Sequence, residues 1–199
     1  MGTENAQSNS DNNTDKLISD LNLSLERTTK LIERSDTKAS IMIAALSIIF
    51  GIIFRDSFIK IAKKIVKHNL ETRSFWNILY LLISLAAILG LFIGLTYLIT
   101  TLIPRLNKKY TEETSSGDDS IYFFDSVSNM AFNDFTKLYK STIDDSQKQI
   151  LQIEKQLYIN SEIASQKYHF LKRGIFISFT SILSLIILFV IGLVMLKMK

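Results

Sequence analysis

The residues able to do covalent or metal chemistry are few, and their spacing does not support it. The two histidines, His68 and His169, have no partner at ligand spacing, and the chain has no cysteine. That removes thiolate metal sites and a disulfide framework. Two acidic doublets, Asp118-Asp119 and Asp144-Asp145, fall in a loop and at an expected helix start. Carboxylates at a helix N-terminus are favoured by the helix dipole, which accounts for the second pair without a hydrolytic role. Glycines are scarce and none forms a phosphate-cradling loop. The sequence therefore predicts no catalytic constellation, no metal and no cofactor, and a function other than an enzyme's.

What dominates instead is hydropathy. The chain has 199 residues, 47% of them hydrophobic, and a mean hydropathy of +0.20. The apolar residues concentrate in three uncharged stretches, Ala39–Phe54, Ser74–Pro104 and Gly174–Leu196. A helix crosses a bilayer core with roughly 20 apolar residues. The second and third stretches meet that, and the shorter first can span if Lys38 and Arg55 snorkel at its ends. It begins too deep in the chain, after a polar segment, to read as a signal peptide. The expected fold is an all-α membrane protein with three transmembrane helices. The spans are placed at 39–54, 74–104 and 174–196.

Between and before the spans the pattern is also helical. Residues 1–13 are polar and read as a disordered tail. From Thr14, over 14–38, Leu21, Leu25, Thr28, Ile32, Ser35 and Ala39 recur in steps of four and three, a helical seam that should continue into the first span. Residues 55–73 form a basic loop or amphipathic helix, with Lys60, Lys63, Lys64 and Lys67 among Phe58, Ile59, Ala62, Ile65 and Val66. Residues 105–173 hold a loop-forming run, a helix opening at Ile121-Tyr122-Phe123-Phe124 and extending to about Ser141, and a long helix from about Asp144 into the third span. In that helix Ile143, Ile150, Leu157 and Ala164 repeat every seven residues with Ile153 between, Ser146, Asn160 and Lys167 share the seam, and Tyr168, Leu171 and Ile175 continue it after a slip. Polar residues at seam positions fix register at some cost in stability.

The spans carry no ionisable residue, which argues against a dedicated ion or proton pump. They do carry small and hydroxylated residues. Gly90 and Gly94 form a GxxxG pair that permits close helix approach. Ser178, Ser181 and Ser184 recur every three residues. Either set could pack helices within one chain or face a neighbour in an oligomer. Just outside the spans, Glu33 lies six residues before Ala39 and Lys167 seven before Gly174, so on parallel helices their depths differ by about one to two ångströms. Glu33 or Asp36 is expected to pair with Lys167.

Lysines and arginines near span ends favour the cytoplasm. With three spans the N-terminal segment and residues 105–173 share one side. Eleven flanking cations fall on that side and eight on the other. The expected topology is multi-pass, with the N-terminus and the long soluble segment inside. The net charge of +4 suits a membrane surface, and no motif points to nucleic acid.

Four short motifs in order carry a resemblance. Arg34-Ser35-Asp36-Thr37-Lys38-Ala39-Ser40 resembles the R-x-D-x-K-A-S signature of Pycsar transmembrane effectors. Pro104-Arg105 resembles the close of that family's second span, and Ile121-Tyr122-Phe123-Phe124 its I-Y-F stretch. Ser161, Ala164, Lys167-Tyr168 and Leu171 resemble its S-x-x-A-x-x-K-Y-x-x-L run. The resemblance covers residues 25 to 195. It implies antiphage defence from the bacterial inner membrane: a partner pyrimidine nucleotide cyclase makes cyclic CMP or cyclic UMP, the messenger activates the effector, membrane integrity is lost, and infection aborts. The expected partners also include membrane lipid and further copies of the chain in a homo-oligomer.

A cyclic nucleotide is a monoanion with an aromatic base, and it calls for a cation and a stacking ring. Arg105, Lys167 and Tyr168 are the first candidates, with Arg34 and Lys38 behind them. The plain alternative for each cation is the positive-inside belt. The chain shows no cyclic-nucleotide-binding β-roll pattern, so the messenger would bind a helical surface, bind between protomers or act indirectly. Two other readings use the same architecture: a pore-forming helical-hairpin effector of another bacterial conflict system, and a non-lytic membrane scaffold or sensor subunit.

Overall fold

A computed structural model describes residues 2–72, 74–103 and 120–197, with the side chains of 2–11 and 125 left aside. Its elements are α1 (Gly2–Ile53), α2 (Asp56–Thr72), α3 (Phe75–Leu102), α4 (Phe124–Ser128), α5 (Phe132–Ile143) and α6 (Ser146–Lys197). No strand occurs among the described residues. Three of the helices, α1, α3 and α6, are long and apolar enough to cross a membrane. The chain is an all-helical protein of two compact units, residues 1–34 with 104–166, and residues 35–103 with 167–199.

The second unit holds the apolar parts of α1, α3 and α6, and the buried positions keep a four–three rhythm on each. On α3 they are Ala87, Leu91, Gly94, Leu98 and Thr101. On α6 they are Lys167, Leu171, Gly174, Ser178, Ser181 and, eleven residues on, Gly192, and on α1 they are Ser35, Ala39 and Leu46. Ala39, Leu46, Leu91, Leu98 and Leu171 form one buried cluster. This is the 3.5-residue repeat of helices wound at a shallow angle. The large apolar side chains off the seam, such as Ile41, Ile48, Leu82 and Phe176, are exposed. In water such a surface would be untenable; in a bilayer it is the face that meets lipid.

The approach of α3 to α6 is set by glycine. A β-carbon built at Gly90 would lie 2.5 Å from Ser181 Oγ. One at Gly94 would meet Ser178, with 2.8 Å to its backbone nitrogen and 3.1 Å to its Cα. On the opposite helix, a β-carbon at Gly174 would lie 2.9 Å from Leu98 Cγ and 3.1 Å from Leu98 N. The GxxxG pair thus packs within the chain, against two of the three serines.

Between the first and second of these helices α2 is a full amphipathic helix. Phe58 stacks on Phe189 of α6 with centroids 4.2 Å apart, and Ile65 and Asn69 are buried. Ile103, which precedes Pro104, is extended (φ −67°, ψ 125°) and closes α3. A residue before proline is pushed out of the helical region, so the end of this span is written in the sequence.

In the first unit the half-buried residues of α1 include Leu21, Leu25, Thr28 and Ile32, the expected seam, with Thr14, Ile18 and Ser24 beside them. Ile150 and Ile153 of α6 are buried. Asp145 Oδ1 accepts hydrogen bonds from the backbone N–H groups of Gln147 (3.0 Å) and Lys148 (3.2 Å) and so caps α6. Buried Gln152 is a polar hub: its Oε1 accepts from the Ile121 N–H at 3.2 Å, and its Nε2 donates to Thr142 Oγ1 at 3.4 Å. Gln149 Nε2 donates to the Tyr122 hydroxyl at 3.2 Å. These bonds fasten the short α4–α5 region to α6.

Three details differ from expectation. Helix α1 begins at Gly2 rather than Thr14, because the polar leader contains no helix breaker beyond its second residue. The single helix expected from Ile121 to Ser141 is two, α4 and α5, separated around Asn129–Ala131 where Ala131 is extended. The α6 seam has no slip: Ala164, Lys167, Leu171, Gly174 and Ser178 follow in register, and Tyr168 is exposed.

The glycine contacts predict a sharp contrast. Gly94→Leu should lower stability by about 1–3 kcal/mol, because backbone atoms of Ser178 must yield. Gly51→Ala should cost nothing, since no atom lies within 4 Å of that position. Thermal unfolding followed by circular dichroism in detergent reads both.

Candidate functional site

The charged residues below the first and third spans converge at one point of the second unit. Lys167 occupies a seam position of α6, so its stem points into the packed face. Asp36 follows the buried Ser35 on α1. Lys167 Nζ donates to both carboxylate oxygens of Asp36, at 2.6 and 2.7 Å. The two side chains are unequally covered, 6% exposed for Lys167 and 35% for Asp36. Ala39 and Leu171, each one turn further along its helix, are buried in the apolar cluster beside the pair. A nearly buried ammonium is tolerable only with a partner of opposite charge, and here the partner keeps one edge in solvent.

Of the two acids expected to meet Lys167, Asp36 is the one in place, and Glu33 belongs to the first unit. Asp36 lies three residues nearer the span, and its position beside Ser35 turns it toward the seam.

The candidate ligand residues fare differently. Lys167 already directs its ammonium to Asp36, so in this arrangement it serves α1–α6 packing. Tyr168 is 60% exposed, and Arg34 and Lys38 are exposed as well. Arg105 lies outside the described residues. Arg34 belongs to the first unit, Lys38 and Tyr168 to the second. Gly90 and Gly94 are contact positions of α3 on α6. No cluster of three or more potential metal ligands occurs among the described residues.

Some polar contacts had no clear signal in sequence. The Tyr80 hydroxyl donates to the Leu188 carbonyl at 2.8 Å, joining α3 to α6. That carbonyl lies one turn before Gly192, where a β-carbon would come within 2.7 Å of the Tyr80 oxygen. Glycine here opens a helix carbonyl to a second donor. Ser178 Oγ, facing Gly94, has no hydrogen-bond partner among the described residues and acts as a small spacer. Lone tyrosines and glycines in apolar runs carry no spacing rule that would pair them in advance.

Unequal burial of the ion pair gives an ordered prediction. Asp36→Asn strands an almost buried cation and should cost about 3 kcal/mol or more. Lys167→Met leaves a carboxylate that water can reach and should cost less, about 1 kcal/mol. The exchange Asp36→Lys with Lys167→Glu should recover most of the loss, while Glu33→Lys with Lys167→Glu should not. Unfolding midpoints of the four variants decide the matter, and equal losses for Asp36→Asn and Lys167→Met would refute the burial argument.

No curated protein and no solved structure matches the chain. A family described as the Pycsar effector protein domain matches residues 20–196, from the start of the first unit's helical seam almost to the end of α6. That span includes the apolar parts of all three helices able to cross a membrane, the Asp36–Lys167 pair and the glycine contacts. The chain is a membrane protein of the Pycsar effector family.

Proposed function

We propose that this protein is the membrane-acting effector of a Pycsar antiphage system, held in the bacterial inner membrane and switched on by cyclic CMP or cyclic UMP from a partner cyclase. The observation that carries the reading is family membership over residues 20–196, joined to three helices able to span a bilayer. On this reading the protein catalyses nothing. Its output is loss of membrane integrity, produced by rearranged helices in one chain or a homo-oligomer. Residues of both α1 and α6 belong to both units, so an event at a soluble surface has a short covalent path to the spans.

Among the candidates of the second unit, exposed Tyr168 supplies a ring for the base and exposed Lys38 a cation for the phosphate, and Arg34 of the first unit is a separate candidate. Arg105 remains a candidate on the sequence resemblance. Lys167 is the least suited, because its donors already face Asp36.

The direct experiment is dye release from liposomes holding the purified full chain. Cyclic CMP or cyclic UMP should trigger leakage, and cyclic AMP should not. Tyr168→Ala and Lys38→Ala should each shift the activating concentration upward by about tenfold, the loss of one stacking or charge-assisted contact. Absence of both leakage and binding with either pyrimidine messenger would defeat the reading.

Topology can be read in the same chain because it lacks cysteine. With the N-terminus inside, a single cysteine at exposed Lys137 should be protected from an impermeant maleimide in intact spheroplasts, and one at exposed Lys64 should react. The opposite labelling would place the first unit outside and exclude a cytoplasmic messenger.

A further inference from the structure

Helix α2 is held to the spans along one side only. Phe58 stacks on Phe189, and Ile65 lies against Gly192. Its second apolar side carries the half-buried Ile59 and the exposed Val66 and Leu70. Together with the end of α1 and with Ile88 of α3 and Ile186 of α6, it walls a cavity of about 1160 Å³. That is larger than the roughly 300–1,000 Å³ of ordinary small-molecule pockets. All of its lining residues belong to the second unit, and nearly all are apolar. The exceptions sit mainly on α2, where Lys63, Lys67 and Glu71 edge the opening.

Chain order fixes the level of this cavity. It opens where the first span ends and the second begins, at the boundary between hydrocarbon and headgroups. An apolar cavity there gains nothing from water, and the apolar molecules at hand are acyl chains. The charge at its mouth has a definite sign. Helix α2 carries four lysines against two carboxylates, Asp56 and Glu71. Glu71 engages Lys67 only loosely, at 3.7 Å with both side chains exposed, and Lys63 makes no ion pair among the described residues. Polybasic segments at a bilayer surface draw anionic lipid headgroups.

We propose that α2 and the adjoining ends of the three spans form a binding site for one anionic phospholipid, with an acyl chain in the cavity and the phosphate at Lys63 and Lys67. The site is distinct from the messenger residues, and it stands or falls by lipid retention alone.

The test uses the full chain reconstituted in bilayers of equal phosphatidylcholine and phosphatidylglycerol, released into detergent and weighed by native mass spectrometry. The wild-type protein should retain phosphatidylglycerol in excess. Lys63→Gln and Lys67→Gln should lower that retention about fivefold each. Ile186→Trp, which fills the cavity, should lower retention of both lipids, with circular dichroism verifying helix content. Equal retention of the two lipids, or phosphatidylglycerol retention unchanged in the Lys63→Gln/Lys67→Gln chain, would mean ordinary annular lipid and overturn the proposal.

Discussion

Helices in a bilayer have no hydrophobic reason to leave lipid for one another, since acyl chains are as apolar as leucine. What they gain is contact, and contact requires backbones to come close. The second unit depends on that constraint. Gly90 and Gly94 on one helix and Gly174 and Gly192 on the other remove side chains where α3 and α6 would collide. Ser178 and Ser181 fill the remaining space with the smallest polar groups available. Leu98 lies over Gly174, so the large residue on one helix meets the absent one on the other. The alternation is staggered along both helices, which fixes their register as well as their distance.

That register decides which polar groups meet. Once α3 and α6 are set by their glycines, Tyr80 lies opposite the Leu188 carbonyl and Phe58 of α2 finds Phe189. Toward the other end, the seam residue of α6 one turn before Leu171 is Lys167, and it lies in the packed face whether or not it has a partner. Asp36 resolves that problem. The pair is poor evidence of net stability, because desolvation offsets much of its attraction. It is strong evidence of specificity, because any slip of α1 against α6 would strand the ammonium among Ala39, Leu46 and Leu171. This separates two roles that sequence alone leaves merged. The Lys167-Tyr168 doublet contributes a structural cation on the seam and an exposed ring one step round the helix.

The parts of this fold that follow a period were legible in the sequence. Leu21, Leu25, Thr28 and Ile32, half-buried, and Ser35 and Ala39, buried, share one face of α1 because a helix must present every third or fourth residue to its neighbour. The three spans follow from uncharged length, and the end of α3 from Pro104 acting on Ile103. The acid partner of Lys167 was narrowed to two by helical rise and decided by rotation: Asp36 adjoins Ser35, and depth along the helix could not show that. Contacts between single residues on different helices escaped, as with Tyr80 and Leu188 or Gln152 and Ile121. These depend on axial offsets of a few ångströms that no spacing within one helix encodes. Helix α2 falls between the two cases. Its amphipathic pattern was visible, but a pattern shows only that one face is apolar. It took the stacking of Phe58 on Phe189 to show that part of that face packs on protein, leaving Val66 and Leu70 exposed.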